Sequence, residues 1–276
     1  MQSFGGQDVR PLPPREMRSP IGGLRFSRPA RWPRALLALV LMACGADNTL
    51  EPSLNQGDAA TPSFQKLPGG WVDEFETFDQ TAWLPRNAGI LYLNAWNDPA
   101  LAFARDGFLN IRVEERDGAY YTTQLKHSEL LKRGTVTARV RCPNTGGWWA
   151  AVWLQVDNTF LNGGLEVDIW ECHRLMGDNA LHAVHEYDTV GHVGFVQHSV
   201  PADAAAWHIV SVTLEPNKPI RFSMDGVETV SPYLWPSNPV PVRILVSGHV
   251  GSWAGPPQPA AWPDSALVDW ISYTTK

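Results

Sequence analysis

The stretch EVDIWE, residues 166–171, has the composition of a β-strand, with branched or aromatic side chains between acids. Side chains alternate between the two faces of a strand, so Glu166 and Asp168 share one face and the apolar residues beside them share the other. Strict alternation would turn Glu171 into the apolar interior, where an unpaired carboxylate is costly or keeps its proton. A one-residue bulge near Trp170 would return Glu171 to the acidic face. The sequence therefore predicts a bulged strand with three carboxylates on one face.

Carboxylates crowded on one strand face repel each other and do not stabilise a sheet. Two interpretations are open: a solvated acidic strand, or a catalytic site, since cleavage of a glycosidic bond needs two carboxyl groups with different pKa values. Three neighbouring carboxylates cannot all be charged at low cost, so the pKa of one should rise. We expect Glu171, beyond the bulge and beside Trp170, to hold its proton near neutral pH.

Residues 1–44 have the features of an export signal. Two arginines precede the nine apolar residues from Ala35 to Ala43, a run long enough for a signal-peptide core and too short for a transmembrane helix. The motif LMAC (41–44) resembles a bacterial lipobox, in which Cys44 is lipidated and becomes the mature N-terminus; the alternative is an ordinary signal peptide with a coincidental cysteine. Residues 45–70 are polar and without period, which predicts a flexible tether.

From Trp71 onward, short runs of alternating apolar and polar residues are separated by Gly, Pro, Asn and Asp, and no long helical pattern occurs. Examples are FLNIRV (108–113), GTVTARVRC (134–142) and HIVSVTL (208–214). The Asp-Gly pair at 225–226 is typical of a tight hairpin. Residues 71–276 are therefore predicted to form one all-β domain, an antiparallel sandwich of two sheets.

Composition narrows the function classes. A net charge of −6 without a basic run argues against a nucleic-acid partner. The eight histidines show no zinc-ligand spacing, whereas the thirteen tryptophans suit a core and also flat platforms for sugar rings. Outside the cytoplasm Cys142 and Cys172 could pair or remain buried thiols, and two cysteines alone do not decide between these states.

Five segments, in this order along the chain, resemble glycoside hydrolase family 16, the laminarinase-like enzymes with a concanavalin A-like jelly roll. They are WVDEFETFDQTAW (71–83), GTVTARVRCPNTGGWWAAVWLQ (134–155), EVDIWE (166–171), GSWAG (251–255) and ALVDWISY (266–273). EVDIWE fits the E-x-D-x-x-E signature of the family. The resemblance implies a jelly roll and an active glycosidase site in this chain.

Carried over by position, the signature makes Glu166 the nucleophile and Glu171 the general acid/base, with Asp168 between them to control the proton balance of the nucleophile. A retaining glycosidase needs two carboxyl groups about 5–5.5 Å apart, one ionised and one protonated. The residue types and the physical chemistry agree on these roles.

Aromatic residues are the candidates for substrate binding. Trp149 and Trp153 lie four apart on a predicted strand and share a face, which the family places on its concave side; a purely core role is the alternative. Trp253, in a Gly-flanked loop, is a third candidate platform. The resemblance also implies that His185 hydrogen-bonds the sugar or tunes Glu171, although a lone histidine on a strand is more often structural.

The resemblance implies no catalytic cofactor, but it does imply a structural calcium ion. The ion would be bound by Asp269 in the closing strand and by the backbone carbonyl of Gly107, since oxygen ligands suit calcium. Alternatively, Asp269 simply faces solvent.

The sequence also departs from the family. Laminarinase-like members carry an arginine that reaches the cleft at a position where this chain has Leu125, next to Lys126 and His127. Cys172, directly after the expected acid/base, is unusual. These differences concern substrate contacts rather than the catalytic acids.

These observations predict an exported, lipid-anchored monomer at the bacterial cell envelope that cleaves a β-linked neutral polysaccharide internally and with retention of configuration. A β-1,3- or mixed β-1,3/1,4-glucan is the expected substrate, with a galactan such as agarose as the alternative. A non-catalytic carbohydrate-binding protein and a transglycosylase are the rival functions, because a fold alone does not determine chemistry.

Overall fold

The computed structural model describes residues 64–157, 163–177 and 179–275. The predicted signal peptide, the lipobox with Cys44 and most of the predicted tether lie outside the described residues. Within the described ranges, no helix combines the length and the apolar character needed to cross a membrane.

Strands dominate this part of the chain. They are β1 (Phe64–Leu67), β2 (Gly70–Asp73), β3 (Trp83–Pro85), β4 (Leu91–Tyr92), β5 (Ala95–Asn97), β6 (Ala102–Arg105), β7 (Phe108–Arg116), β8 (Ala119–Thr122), β9 (Gln124–His127), β10 (Gly134–Arg141), β11 (Trp148–Val156), β12 (Gly164–Cys172), β13 (Asn179–Tyr187), β14 (His192–Pro201), β15 (Trp207–Leu214), β16 (Pro219–Met224), β17 (Val227–Leu234), β18 (Val242–Val250) and β19 (Asp264–Thr274). Short 3₁₀ helices lie at Pro99–Leu101, Arg174–Met176, Ser252–Ala254 and Pro259–Ala261.

The strands form two sheets. The larger, twelve-stranded sheet has the order β17-β16-β15-β10-β19-β7-β8-β5-β4, with β1 and β2 paired beside β19 and β6 paired with β7. The smaller, seven-stranded sheet has the order β14-β13-β12-β11-β18-β9-β3. The pairs are antiparallel apart from β5 with β8. The all-β, two-sheet jelly-roll prediction is confirmed.

One apolar core takes side chains from both sheets. In β10 the residues Val136, Ala138 and Val140 are buried while those between them are half-buried, as expected when one face packs on the core. In β11 both faces are buried: Trp148 joins the main core, whereas Trp153 belongs to a separate apolar cluster on the other face. The smaller sheet therefore carries a second, sheltered surface at β11.

The ordered domain begins earlier than the sequence indicated. Strand β1 (Phe64–Leu67) lies inside the predicted tether of residues 45–70 and pairs with β2. The Phe64 ring packs on Trp71 with ring centroids 5.4 Å apart. Residues 64–70 therefore belong to the larger sheet, because a partner strand compensates for a weak local strand pattern.

Cys142 and Cys172 form a disulfide, with their Cα atoms 5.7 Å apart, which settles the alternatives that the sequence left open. Cys142 directly follows β10 of the larger sheet, and Cys172 ends β12 of the smaller one. The bond therefore joins the two sheets one residue after Glu171.

Replacing both cysteines by alanine should destabilise the fold. The disulfide joins residues 30 apart in sequence, and loss of this cross-link should lower the free energy of unfolding by roughly 3–4 kcal/mol through the regained entropy of the denatured chain. Urea denaturation with and without a thiol reductant measures the effect. The reductant should lower the stability of the wild type and leave that of the double variant unchanged; equal stability of the oxidised and reduced wild type would contradict the expectation.

Candidate active site

The predicted bulge lies in β12 at Ile169 and Trp170. On the β11 side, Val152 pairs with Trp170 and Trp153 with Asp168, so that Ile169 has no partner of its own. Ile169 and Trp170 both pack into the core. Because two consecutive side chains point inward, the strand resumes its alternation with Glu171 on the outer face.

His182 on β13 supports the bulge from behind. Its Nδ1 donates to the backbone carbonyl of Ile169 at 2.6 Å. The His182 ring is fully buried and stacks on Phe222 with ring centroids 4.9 Å apart. The sequence showed no role for this histidine, since its partner is a carbonyl exposed by the bulge itself.

The three acids line one groove of about 600 Å³ on the outer face of the smaller sheet. Trp149, Ala151, Trp153, Gln155, Arg86, Tyr92, Lys126, Tyr187, Arg243, Leu245 and His249 line it as well. The side chains of Glu166 and Glu171 therefore face the same space, which is the arrangement that the bulge prediction required.

The two groove tryptophans lie on the predicted face of β11, but their main contacts are with protein groups. The Trp149 side chain hydrogen-bonds the carboxyl group of Glu171, and its ring lies 4.8 Å from the ring of His249 between centroids. The indole nitrogen of Trp153 donates to Ser247 Oγ at 2.9 Å. Each of the two indoles is therefore held in a fixed orientation beside the acids.

Trp253 lies in the 3₁₀ helix Ser252–Ala254 and is 40% exposed, unlike the other two tryptophans. Its ring contacts those of Trp149, at a centroid distance of 5.3 Å, and His173, at 4.4 Å. Trp253 does not line the groove itself. It extends the aromatic surface from Trp149 toward solvent.

Two residues that the sequence did not single out form a chain of hydrogen bonds that ends on Glu166. The Gln155 amide nitrogen donates to Glu166 Oε2, and the guanidinium of Arg86 donates to the Gln155 amide oxygen. Arg86 also lies over the Trp153 ring, with its Cζ 4.9 Å from the ring centroid. A guanidinium thus reaches the groove from the end of β3, whereas Leu125 of β9 is buried in the core.

Burial dominates the electrostatics of the acids. It raises the pKa of Glu166 to about 7, against the opposing effects of the Arg86 charge and the Gln155 hydrogen bond. Burial also raises the pKa of Asp168 well above its ordinary value, and the charges of Glu171 and Glu166 add to this. These effects favour the protonated form of Asp168.

Burial, followed by the charge of Glu166, raises the pKa of Glu171 to about 7, and the hydrogen bond from Trp149 opposes the shift. Glu166 lies near the positive charge of Arg86, whereas Glu171 lies near the negative charge of Glu166. The neighbouring charges therefore favour the ionised form of Glu166 and the protonated form of Glu171.

His185 lies in register opposite Glu166, but it contacts Asp168: its Nε2 is 3.4 Å from Asp168 Oδ2. Its Nδ1 is 3.1 Å from Nε2 of His192. Burial, and then the neighbouring His192, lowers the pKa of His185 to about 4, so the ring is neutral at neutral pH. His185 therefore contacts Asp168 in this structure, and its expected action on the sugar or on Glu171 stays a prediction.

Glu166, Asp168 and His185 also offer three ligand atoms within 4.8 Å of one another, a spacing that a metal ion could use. These residues are the proposed nucleophile and its neighbours, and the sequence showed no zinc spacing. The cluster therefore belongs to the acid site.

One of the two predicted calcium ligands has another partner. Asp269 Oδ2 accepts a hydrogen bond from the guanidinium of Arg139, which supplies the positive charge that the ion would have supplied. Gly107, whose backbone carbonyl was the other predicted ligand, lies close to the carboxylate of Glu76. Calcium at Asp269 and Gly107 stays a prediction, and the ion pair with Arg139 argues against it.

The domain has the jelly-roll sandwich fold of laminarinases and family 16 glucanases. The laminarinase catalytic domain from Thermotoga maritima has a TM-score of 0.63 at 17% identity, over 78% of this chain and 99% of that chain. A non-specific endo-β-1,3(4)-glucanase from glycoside hydrolase family 16 has a TM-score of 0.63 at 16% identity, over 78% and 96%. A family 16 protein of Bacteroides ovatus in complex with a glucan product has a TM-score of 0.61 at 19% identity, over 72% and 98%. These similarities establish the fold.

No protein-family model and no curated protein sequence matches the chain.

Glu171→Gln should stabilise the protein in a pH-dependent manner. The pKa of Glu171 is raised from 4.5 to about 7 in the folded state, so the stability that its protonated form contributes is complete below about pH 4.5 and is lost as the pH rises through about 7. Glutamine does not ionise and avoids this loss. Thermal melting should show a higher Tm for the variant at about pH 8 and a smaller difference at about pH 4.5.

Glu228→Gln on the exposed strand β17 is the matched control, and its difference from the wild type should not grow with pH. A Glu171→Gln variant that lost stability at alkaline pH would show that this carboxylate is not penalised by burial.

Proposed function

We propose that this protein is a retaining, endo-acting glycoside hydrolase with Glu166 as nucleophile and Glu171 as general acid/base. The observation that carries the proposal is the bulge of β12, which brings Glu171 to the same groove as Glu166. A regular strand of the same sequence would have separated the two carboxyl groups by the thickness of the sheet.

The proposed reaction uses two displacements. Glu166 attacks the anomeric carbon, the glycosidic C–O bond breaks, and Glu171 donates its proton to the leaving oxygen. In the second step Glu171, now ionised, takes a proton from water while the water oxygen displaces Glu166 from the anomeric carbon. The starting protonation states match this sequence, because Arg86 and Gln155 favour the charge on Glu166 while the charge of Glu166 favours the proton on Glu171.

Asp168 and His185 complete the proton balance. The burial that raises the pKa of Asp168 favours its protonated form, which can share a hydrogen bond with Glu166 without adding charge. The neutral His185 beside it can donate a hydrogen bond from its Nε2–H to Asp168 if Asp168 becomes ionised, without transferring the proton. This pair would buffer the site as charge moves between the glutamates.

A β-linked glucan is the proposed substrate class. The structures with this fold include laminarinases, an endo-β-1,3(4)-glucanase and a family 16 protein with a bound glucan product. The groove is bordered by aromatic side chains such as Trp149, Tyr92 and Tyr187, which suit the apolar faces of sugar rings. A groove of this kind favours cleavage within a polysaccharide chain. A galactan is the alternative substrate.

A non-catalytic carbohydrate-binding protein on the same fold is the rival proposal. The presence of all three acids in one groove with raised pKa values favours the enzyme, because a binding surface gains nothing from buried, mutually repelling carboxylates. A transglycosylase would share every catalytic group and differ in its acceptor.

Glu166→Gln should lower the rate of glucan cleavage by at least about 10³-fold while the fold and polysaccharide binding persist, because the amide cannot form the glycosyl-enzyme bond. The test incubates wild type and variant with laminarin, mixed-linkage β-glucan and agarose, sizes the products, and follows the released anomer by NMR. Glu186→Gln, an exposed acid on β13, is the control and should retain activity.

Wild-type turnover with inversion of configuration would contradict the mechanism, and normal activity of Glu166→Gln would contradict the assignment. Binding of these polysaccharides without any cleavage by the wild type would favour the rival.

The proposal extends to the location of the enzyme: exported and anchored to the cell envelope through a lipid on Cys44, where it would meet polysaccharide too large to enter the cell. Cys44→Ser should then release the protein from the membrane fraction of a bacterial host, because a lipidated cysteine is the anchor. Fractionation followed by immunoblotting measures this, with wild type as the reference. Continued membrane association of the variant would count against the lipobox.

A further inference from the structure

A chain of hydrogen bonds that starts outside the acidic strand ends on the proposed nucleophile. The Arg86 guanidinium donates to Gln155 Oε1, and Gln155 Nε2 donates to Glu166 Oε2. A guanidinium can only donate and an ionised carboxylate can only accept. The two partners therefore determine the orientation of the Gln155 amide.

Arg86 is itself held in place. Its guanidinium lies 4.9 Å from the centroid of the Trp153 ring, and the Trp153 indole nitrogen is bonded to the fully buried Ser247 at 2.9 Å. A guanidinium over an aromatic face loses little freedom when it forms its hydrogen bonds. The relay of Arg86, Gln155 and Glu166 therefore rests on a rigid support from β11 and β18.

We propose that Arg86 and Gln155 are positioning residues that select the ionised form of Glu166 and leave its Oε1 oxygen to attack the anomeric carbon. The catalytic consequence rests on the function proposed above, whereas the effect on Glu166 itself does not.

The relay discriminates between protonation states. A proton on Oε2 would meet the N–H of Gln155, donor against donor, and Gln155 cannot turn its amide around without presenting its NH₂ group to the Arg86 donors. A neutral carboxyl with its proton on Oε1 could still accept from Gln155, but it would lose the stronger, charge-assisted hydrogen bond and the attraction of Arg86, so the ionised form is favoured. When Oε1 forms the ester with the sugar, Oε2 becomes a carbonyl oxygen and can keep the same hydrogen bond.

Glu171 has no such relay among the described contacts. The net pKa shift of Glu171 is upward, and the one effect that opposes it is the hydrogen bond from Trp149, a neutral donor. Arg86 is not among the groups that shift the pKa of Glu171. The same relay that lowers the pKa of Glu166 therefore separates the roles of two glutamates that are similarly buried.

The test measures the pKa of Glu166 directly, by NMR of the carboxyl carbons in glutamate-labelled protein, with the signal assigned by its loss in Glu166→Gln. Gln155→Leu should move this pKa upward by about one unit, because the hydrogen bond to the charged form is lost. Arg86→Lys keeps the positive charge but loses the planar guanidinium with its paired N–H donors. It should therefore shift the pKa of Glu166 less than Arg86→Met, which removes both the charge and the donors.

The pH dependence of kcat/KM, measured on the glucan that the wild type cleaves, should change in parallel with the pKa of Glu166. In Gln155→Leu the acidic limb should move to higher pH by the same amount as this pKa, and the alkaline limb should stay in place. Gln197→Leu, the same substitution on the exposed strand β14, is the control and should leave the pKa of Glu166 unchanged. Circular dichroism checks that each variant is folded.

An unchanged Glu166 pKa in folded Gln155→Leu and Arg86→Met would overturn the inference, even if the wild type cleaves glucan. A shifted pKa in a protein without any glycosidase activity would instead support the relay and refute the proposed function.

Discussion

The desolvation of three carboxyl groups on one strand is the constraint on which the site depends. Glu166, Asp168 and Glu171 share a groove because β12 sends two consecutive side chains, Ile169 and Trp170, into the core. Sheet stability does not explain this arrangement, since burial penalises every charge in it. The supports of the bulge, among them the His182 hydrogen bond to its carbonyl, offset a local cost that a functional site can explain.

The difference between the two glutamates comes from their partners rather than from their burial. Burial is the largest cause of the raised pKa of both glutamates, so depth alone does not distinguish them. Arg86 and Gln155 act on Glu166, whereas Glu171 has the indole of Trp149 and the negative charge of Glu166. Retaining glycoside hydrolysis requires paired acids with separate roles, and under the proposed function the partners that favour this separation are Gln155 on the adjacent strand β11 and Arg86 after β3.

The aromatic residues near the site act mainly as its framework. Trp149 bonds Glu171, and Trp153 bonds Ser247 while supporting Arg86 on its ring. Such fixed indoles hold the charged groups in defined positions, and preorganised dipoles and charges are the main source of catalytic power in sites of this kind. Trp253, the more exposed ring, remains the better candidate for stacking on sugar beyond the acids.

Features that depend on the local chain alone could be predicted from the sequence. The two-residue period of a strand predicted the all-β fold and the shared face of Trp149 and Trp153, and one extra residue at the bulge predicted the acidic face. The local pattern does not predict which distant residues contact these side chains. The Arg86 contact with Gln155 spans 69 residues, the disulfide spans 30, and the pairing that draws β1 into the sheet needs β2. The sequence determined which acids face one way, and only the tertiary structure decided which of them would carry the charge, since that depends on side chains brought in from other strands.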